Sequence, residues 1–145
     1  ISDESLIARF TPSDNLQITR WVPQLALLRR AAVMVTHGGL NSIMECVNLS
    51  VPMVILPCQR DQPGNAARAA YHHLGLVSDP AHLTPAKLLA QISTAMSSED
   101  LRSGIETMKA KIQEEDGMQN AIEFIRSHLP LSGPQTHPQL QENTP

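Results

Sequence analysis

Ten residues, Val33-Met34-Val35-Thr36-His37-Gly38-Gly39-Leu40-Asn41-Ser42, restrict the fold of this chain more than any other stretch. Val33 to Thr36 is a short, almost continuously apolar run, the pattern of a strand covered on both faces. It stops just short of two glycines, and Leu40 to Leu49 then carries helical character. The same succession recurs. Met53 to Leu56 is a second apolar run, followed by an alanine-rich helical segment from Gly64 to Leu74, and Leu76-Val77 can open one more short strand. An earlier β-rich run spans Leu16 to Thr19. Strands alternating with helices predict an α/β fold, a parallel sheet with helices on its faces.

Beyond Pro80 the pattern turns wholly helical. Thr84-Pro85 is a capping residue followed by proline at the first helical position, a start signal. Leu88, Leu89, Ile92 and Met96 fall on one helical face, and Leu101, Ile105, Met108 and Ile112 form a second stripe. Gly117 interrupts the helix, after which Ala121, Ile122, Ile125 and Leu129 make a third. Residues 130–145 hold four prolines and almost no apolar side chains, so a disordered tail is expected there.

Bulk properties exclude several classes. The 145 residues suffice for one domain with a hydrophobic core. With 41% hydrophobic and 17% charged residues the chain reads as a globular protein. Its net charge of -3 and the lack of a basic stripe argue against nucleic acid as a partner. No apolar run approaches the roughly 20 residues of a membrane-spanning helix. Cys46 and Cys58 both sit in apolar contexts and read as two buried thiols of a reducing compartment. The polar, acidic opening Ile1-Ser2-Asp3-Glu4 is unlike a signal peptide and lacks an initiator Met. A cytoplasmic piece of a longer chain is the expectation.

At the Val33–Ser42 junction, glycines let backbone approach a ligand closely. The following helix start offers free N–H groups and the positive end of its dipole, a seat for phosphate. Open α/β sheets bind ligands at the carboxyl ends of their strands, which is where this junction falls. These local features serve a phosphate seat and a plain strand–helix turn, capped by Asn41 or Ser42, equally well. The neighbours carry similar pairs of readings. Trp21, the sole tryptophan, can pack in the core or, at a strand end, stack on a base. Glu45 lies one helical turn after Asn41, so it is either a solvated charge or a carboxylate for two vicinal hydroxyls. Asp61-Gln62, past the third strand, suit sugar hydroxyls, or Asp61 simply caps a helix. Adjacent His72 and His73 would project about 100° apart on a helix and cannot share a metal. His82, His128 and His137 read as surface or tail residues. No Cys/His cluster, GxSxG or Walker signature is present.

Read together, Trp21-x-Pro23-Gln24, Leu28, Thr36-His37-Gly38-Gly39-x-Asn41-Ser42, Glu45, Val51-Pro52, Pro57 and Asp61-Gln62 resemble the donor signature of the UDP-glycosyltransferase superfamily. These are GT-B, family 1 glycosyltransferases, and weaker similarity continues to about His128. The resemblance implies a Rossmann-like C-terminal domain with a helical C-terminal segment, its donor-binding part spanning 1–129 and N-terminally truncated. It implies that Trp21 stacks on uracil and Gln24 lies near base and ribose. His37, with Gly39, Asn41 and Ser42, contacts the diphosphate; Glu45 holds the ribose, and Asp61 and Gln62 the sugar. No metal and no separate cofactor is expected. The implied reaction transfers a hexose, UDP-glucose being the expected donor, to an acceptor hydroxyl with inversion. No catalytic residue is assigned, because the acceptor base belongs to an N-terminal domain that would also bind a small hydrophobic acceptor.

Two departures stand out. Ser50 replaces the family's usual glycine before Val51-Pro52, at about 1 kcal/mol of backbone strain. The first strand and its glycine-rich loop are not visible upstream. Two other arrangements remain open: a donor-binding subunit of a split enzyme that needs a partner chain, and a module that binds nucleotide without catalysis.

Overall fold

The computed structural model describes residues 9–10 and 13–129, so the tail expected at 130–145 lies outside the described residues. The chain divides into two compact units, 1–110 and 111–145.

In the first unit, strands β1 (Met34–Thr36), β2 (Met53–Ile55) and β3 (Gly75–Val77) form a parallel sheet in the order β1-β2-β3. Met34 pairs with Met53, and Met53 with Gly75. Helices α1 (Gln24–Leu28), α2 (Leu40–Asn48), α3 (Gln62–Tyr71), α4 (Pro85–Ser97) and α5 (Glu99–Glu114) accompany the sheet, α5 continuing past Ala110. This is the α/β architecture that the alternation predicts. Burial explains each strand's composition. In central β2, Met53, Val54 and Ile55 are all 0% exposed. β1, however, is covered less than its apolar run suggests, since Val35 is 42% exposed. The strand expected at Leu16 to Thr19 does not form. Only an isolated bridge joins Ser13 and Leu16, and Leu16 is exposed, because the segment finds no sheet neighbour among the described residues.

The α-helices begin and end for local reasons. The Thr84 hydroxyl accepts from the Lys87 N–H, as the cap signal predicts. α2 ends on a Schellman turn, with Val51 N–H donating to the Cys46 carbonyl at 2.8 Å and Ser50 N–H to Val47 at 3.1 Å. Ser50 takes the left-handed conformation there, φ 57°, and Lys109 Nζ donates to its hydroxyl. α3 ends the same way, with His73 at φ 55°. The helix expected to reach Leu74 therefore stops at Tyr71, and His72 and His73 form its exit turn. Val54, Ala95 and Leu101 make a core cluster that Leu88, Ile92 and Leu76 pack against. The stripe expected of α4 is displaced, as Ala95 is buried while Leu89 and Met96 are exposed.

In the second unit, α6 (Gly117–His128) starts at an Asp116 cap, its carboxylate accepting from Gln119 N–H. Its apolar stripe is not a buried one: Phe124, Ile125 and Leu129 are exposed.

Candidate nucleotide-sugar site

β1 delivers the chain into a turn that only glycine tolerates. Gly38 sits at φ +85°, and a Cβ there would lie 2.8 Å from Ile55 Cγ2. The buried Thr36 hydroxyl accepts from the Gly38 N–H, fixing the turn from below. Gly39 then occupies the cap position of α2 without any side-chain cap. Neither Asn41 nor Ser42 caps the helix, so its first-turn N–H groups are offered outward with the positive end of the dipole. The imidazole of exposed His37 folds over Gly39; a Cβ on Gly39 would come 2.9 Å from His37 Nε2. Small residues here keep the backbone accessible and the imidazole beside it.

One turn further, the side chains converge. Gln24, at the start of α1, donates through Nε2 to Glu45 Oε2 at 2.7 Å and to Ser42 Oγ at 3.3 Å. Glu45 is thus a positioned carboxylate at a half-buried site, not a solvated helix charge. Trp21 precedes this helix and is 77% exposed, so the core-packing reading fails for it. Glu45 also affects the neighbouring thiol. Burial, with the nearby Glu45 charge, pushes Cys46 up to about 12.

The loop after β2 supplies the other wall. Asp61 stands at the cap position of α3 but its carboxylate does not cap. It instead accepts from Asn65 Nδ2 at 2.8 Å. Asn65, itself buried, also donates from the same nitrogen to the Gly38 carbonyl at 3.2 Å. Gln62 Oε1 accepts from the backbone N–H groups of Cys58 and Gln59, at 2.9 and 3.0 Å. Its oxygen is committed to the loop, which leaves its amide donor. The thiol of Cys58 is exposed, contrary to the buried pair expected, because it lies on this loop rather than on β2. Among the described residues no group of three His, Cys, Asp or Glu side chains converges to hold a metal ion.

Eight of the nine expected site residues therefore fall on the carboxyl-end turns of β1 and β2 and on helices α1, α2 and α3, whereas Trp21 lies in irregular backbone three residues before α1. Hydrogen bonds join Gln24, Ser42 and Glu45 into one cluster and bring Asp61 to the glycine loop. The sequence reading missed Asn65, although its spacing of four from Asp61 on a helix is a signal for a side-chain pair.

A model of the glycosyltransferase family 28 C-terminal domain matches residues 3–123. The chain belongs to this family. As a GT-B glycosyltransferase C-terminal domain it bears out the resemblance carried by Trp21 to Gln62. It is 31% identical over 112 residues to the uncharacterized UDP-glucosyltransferase YdhE of Bacillus subtilis, covering 77% of the chain and 28% of the relative. To the oleandomycin glycosyltransferase of Streptomyces antibioticus it is 32% identical over 119 residues, covering 81% and 27%. Among solved structures, the glycotransferase of kitacinnamycin superposes with a TM-score of 0.78 at 32% identity, covering 83% of this chain and 31% of that one. The glycosyltransferase VinC, solved with dTDP, gives a TM-score of 0.73 at 25% identity, covering 86% and 32%. The chain thus spans less than a third of these relatives. Among the described residues no helix is long and apolar enough to cross a membrane.

Proposed function

We propose that this chain is the donor-binding half of an inverting hexosyltransferase that uses a UDP-sugar, UDP-glucose above others. The observation that carries the reading is the convergence at the carboxyl ends of β1 and β2. There an uncapped helix start, a carboxylate held by Gln24 and a second carboxylate joined through Asn65 to the glycine turn stand at neighbouring strand-to-helix junctions. Each suits one part of the donor. Exposed Trp21 provides a face for the base, and Glu45 accepts from vicinal ribose hydroxyls. The α2 N-terminus with Gly39, Asn41, Ser42 and His37 receives the diphosphate, and Asp61 and the Gln62 amide take the sugar hydroxyls.

The mechanism follows from charge. When an acceptor oxygen attacks the anomeric carbon from the side opposite the diphosphate, the C–O bond to phosphate breaks and negative charge grows on the leaving group. N–H groups and a helix dipole aimed at that point stabilise it, in the role a divalent cation has elsewhere, so no metal is required. The proton of the acceptor hydroxyl leaves to a base in a separate acceptor-binding domain, fused or supplied by a partner chain.

Titration of the chain with UDP and dUDP tests the site. Glu45 gains a second partner from the 2′-hydroxyl, so UDP should bind about tenfold more tightly than dUDP. Glu45→Ala should erase that ratio and weaken dUDP as well, through the lost bond to its 3′-hydroxyl. No heat from UDP or UDP-glucose at millimolar ligand, with a folded sample, would overturn the reading.

A further inference from the structure

We infer that Asn65 is a positioning residue that sets the sugar-holding carboxylate of Asp61 against the diphosphate loop. The inference rests on the donor site proposed above and adds to it a residue that touches no ligand. Asn65 lies within the first turns of α3 and is 8% exposed, one of two buried polar side chains in the first unit's described residues. A buried amide needs partners, and this one spends both hydrogens of Nδ2 on different strand ends. One goes to Asp61 Oδ2 at 2.8 Å and the other to the Gly38 carbonyl at 3.2 Å.

The two acceptors are not equivalent. Gly38 O belongs to a backbone that cannot yield: φ is +85° and the site of a Cβ is filled by Ile55 Cγ2. Asp61 is exposed, on a loop that includes Arg60 at φ 60°, and no other residue supplies it with a side-chain hydrogen bond among the described ones. Position is therefore transmitted one way, from the rigid turn through the amide to the carboxylate. In transfer chemistry that distance matters, because the acceptor oxygen must attack in line with the bond from the anomeric carbon to the diphosphate oxygen, which breaks. Glu45 and Gln24 are tied to α2 independently, so nucleoside recognition does not pass through Asn65.

The test separates sugar from nucleotide. Affinities of the full chain for UDP and UDP-glucose are measured by titration for the wild type, Asp61→Ala, Asn65→Ala, the double variant and the near-isosteric Asn65→Asp. Asn65→Ala should weaken UDP-glucose about tenfold, the scale of a lost hydrogen bond to a charged group, and leave UDP within about twofold. Added to Asp61→Ala it should change UDP-glucose affinity no further, since the amide acts through that carboxylate. Asn65→Asp places two carboxylates together; relative to wild type at the same pH, UDP-glucose binding should fall more at pH 8 than at pH 5, with the UDP ratio flat. A folding defect would lower both ligands in proportion, so equal loss of UDP and UDP-glucose overturns the inference. So does additive loss in the double variant. If Asp61→Ala itself fails to discriminate the two ligands, the donor-site reading fails first.

Discussion

Two strand-to-helix junctions stand side by side in this domain, and they are built on opposite plans. β1 reaches α2 through three residues, two of them glycine, and the helix start carries no side-chain cap. β2 reaches α3 through six residues, 56 to 61, and that loop is held by the chain itself. Gln62 Oε1 accepts two of its N–H groups, Arg60 takes φ 60°, and Pro63 removes an orphan donor. The first junction ties down Gly38 through Thr36 and Asn65 but leaves the N–H groups of its helix start uncapped. The second spends its polarity internally and presents side chains instead. A site for a nucleotide sugar has use for both.

The sharpest way to break this comparison is at the glycines. Gly38→Ala combines left-handed strain with overlap against Ile55 Cγ2, and should destabilise the chain by about 2–4 kcal/mol in denaturant melts. Gly64→Ala, where a Cβ would meet nothing within 4 Å, should stabilise α3 by about 0.5–1 kcal/mol. If both substitutions are neutral, sterics do not set the first junction. Gly39→Ala sharpens the same point. The added methyl displaces an exposed imidazole, so melting should shift little while UDP affinity falls.

The internal capping of the second loop predicts a smaller effect. Gln62→Ala leaves two N–H groups to water and should lower stability by about 1 kcal/mol. Proteolysis within 57–61 should become faster; an unchanged cleavage rate would mean that the loop does not depend on this side chain.

Thiol chemistry gives the mildest contrast. Cys58 should react with a disulfide reagent in the native chain, and Cys46 only after denaturation. Burial keeps the Cys46 proton on up to about 12, whereas an unfolded thiol loses it near 8.5. Above that lower value the unfolded state binds fewer protons, so this contribution to stability is whole below about pH 8 and wanes as pH rises towards 12. In Cys46→Ala the alkaline decline in melting midpoint should be shallower.

Much of this was legible in the sequence where one local rule sufficed. Two apolar runs, Val33 to Thr36 and Met53 to Leu56, with the shorter Leu76-Val77, located the sheet, and Thr84-Pro85 located the start of α4. Tertiary context decided the rest. Leu16 to Thr19 has strand propensity, yet a strand exists only with a neighbour to pair with. Val35 is apolar but lies on β1, which has no second neighbouring strand among the described residues, so composition overstated its burial. His73 was read as helical because propensity does not register that Leu74 must turn inward to be buried. Within the site, residue types suggested what each position could bind. They could not reveal that Gln24 holds Glu45, or that the oxygen of Gln62 is already engaged, since those bonds depend on rotamers and on the spacing of separate helices.

Cys58 stands on the β2–α3 loop, three residues before Asp61, and is the exposed one of the chain's two thiols. An environment-sensitive dye attached there needs no engineered cysteine and no removal of a competing one. Its emission would follow occupancy of the neighbouring site in real time, so association and dissociation rates of successive sugar nucleotides could be compared on the unmodified sequence.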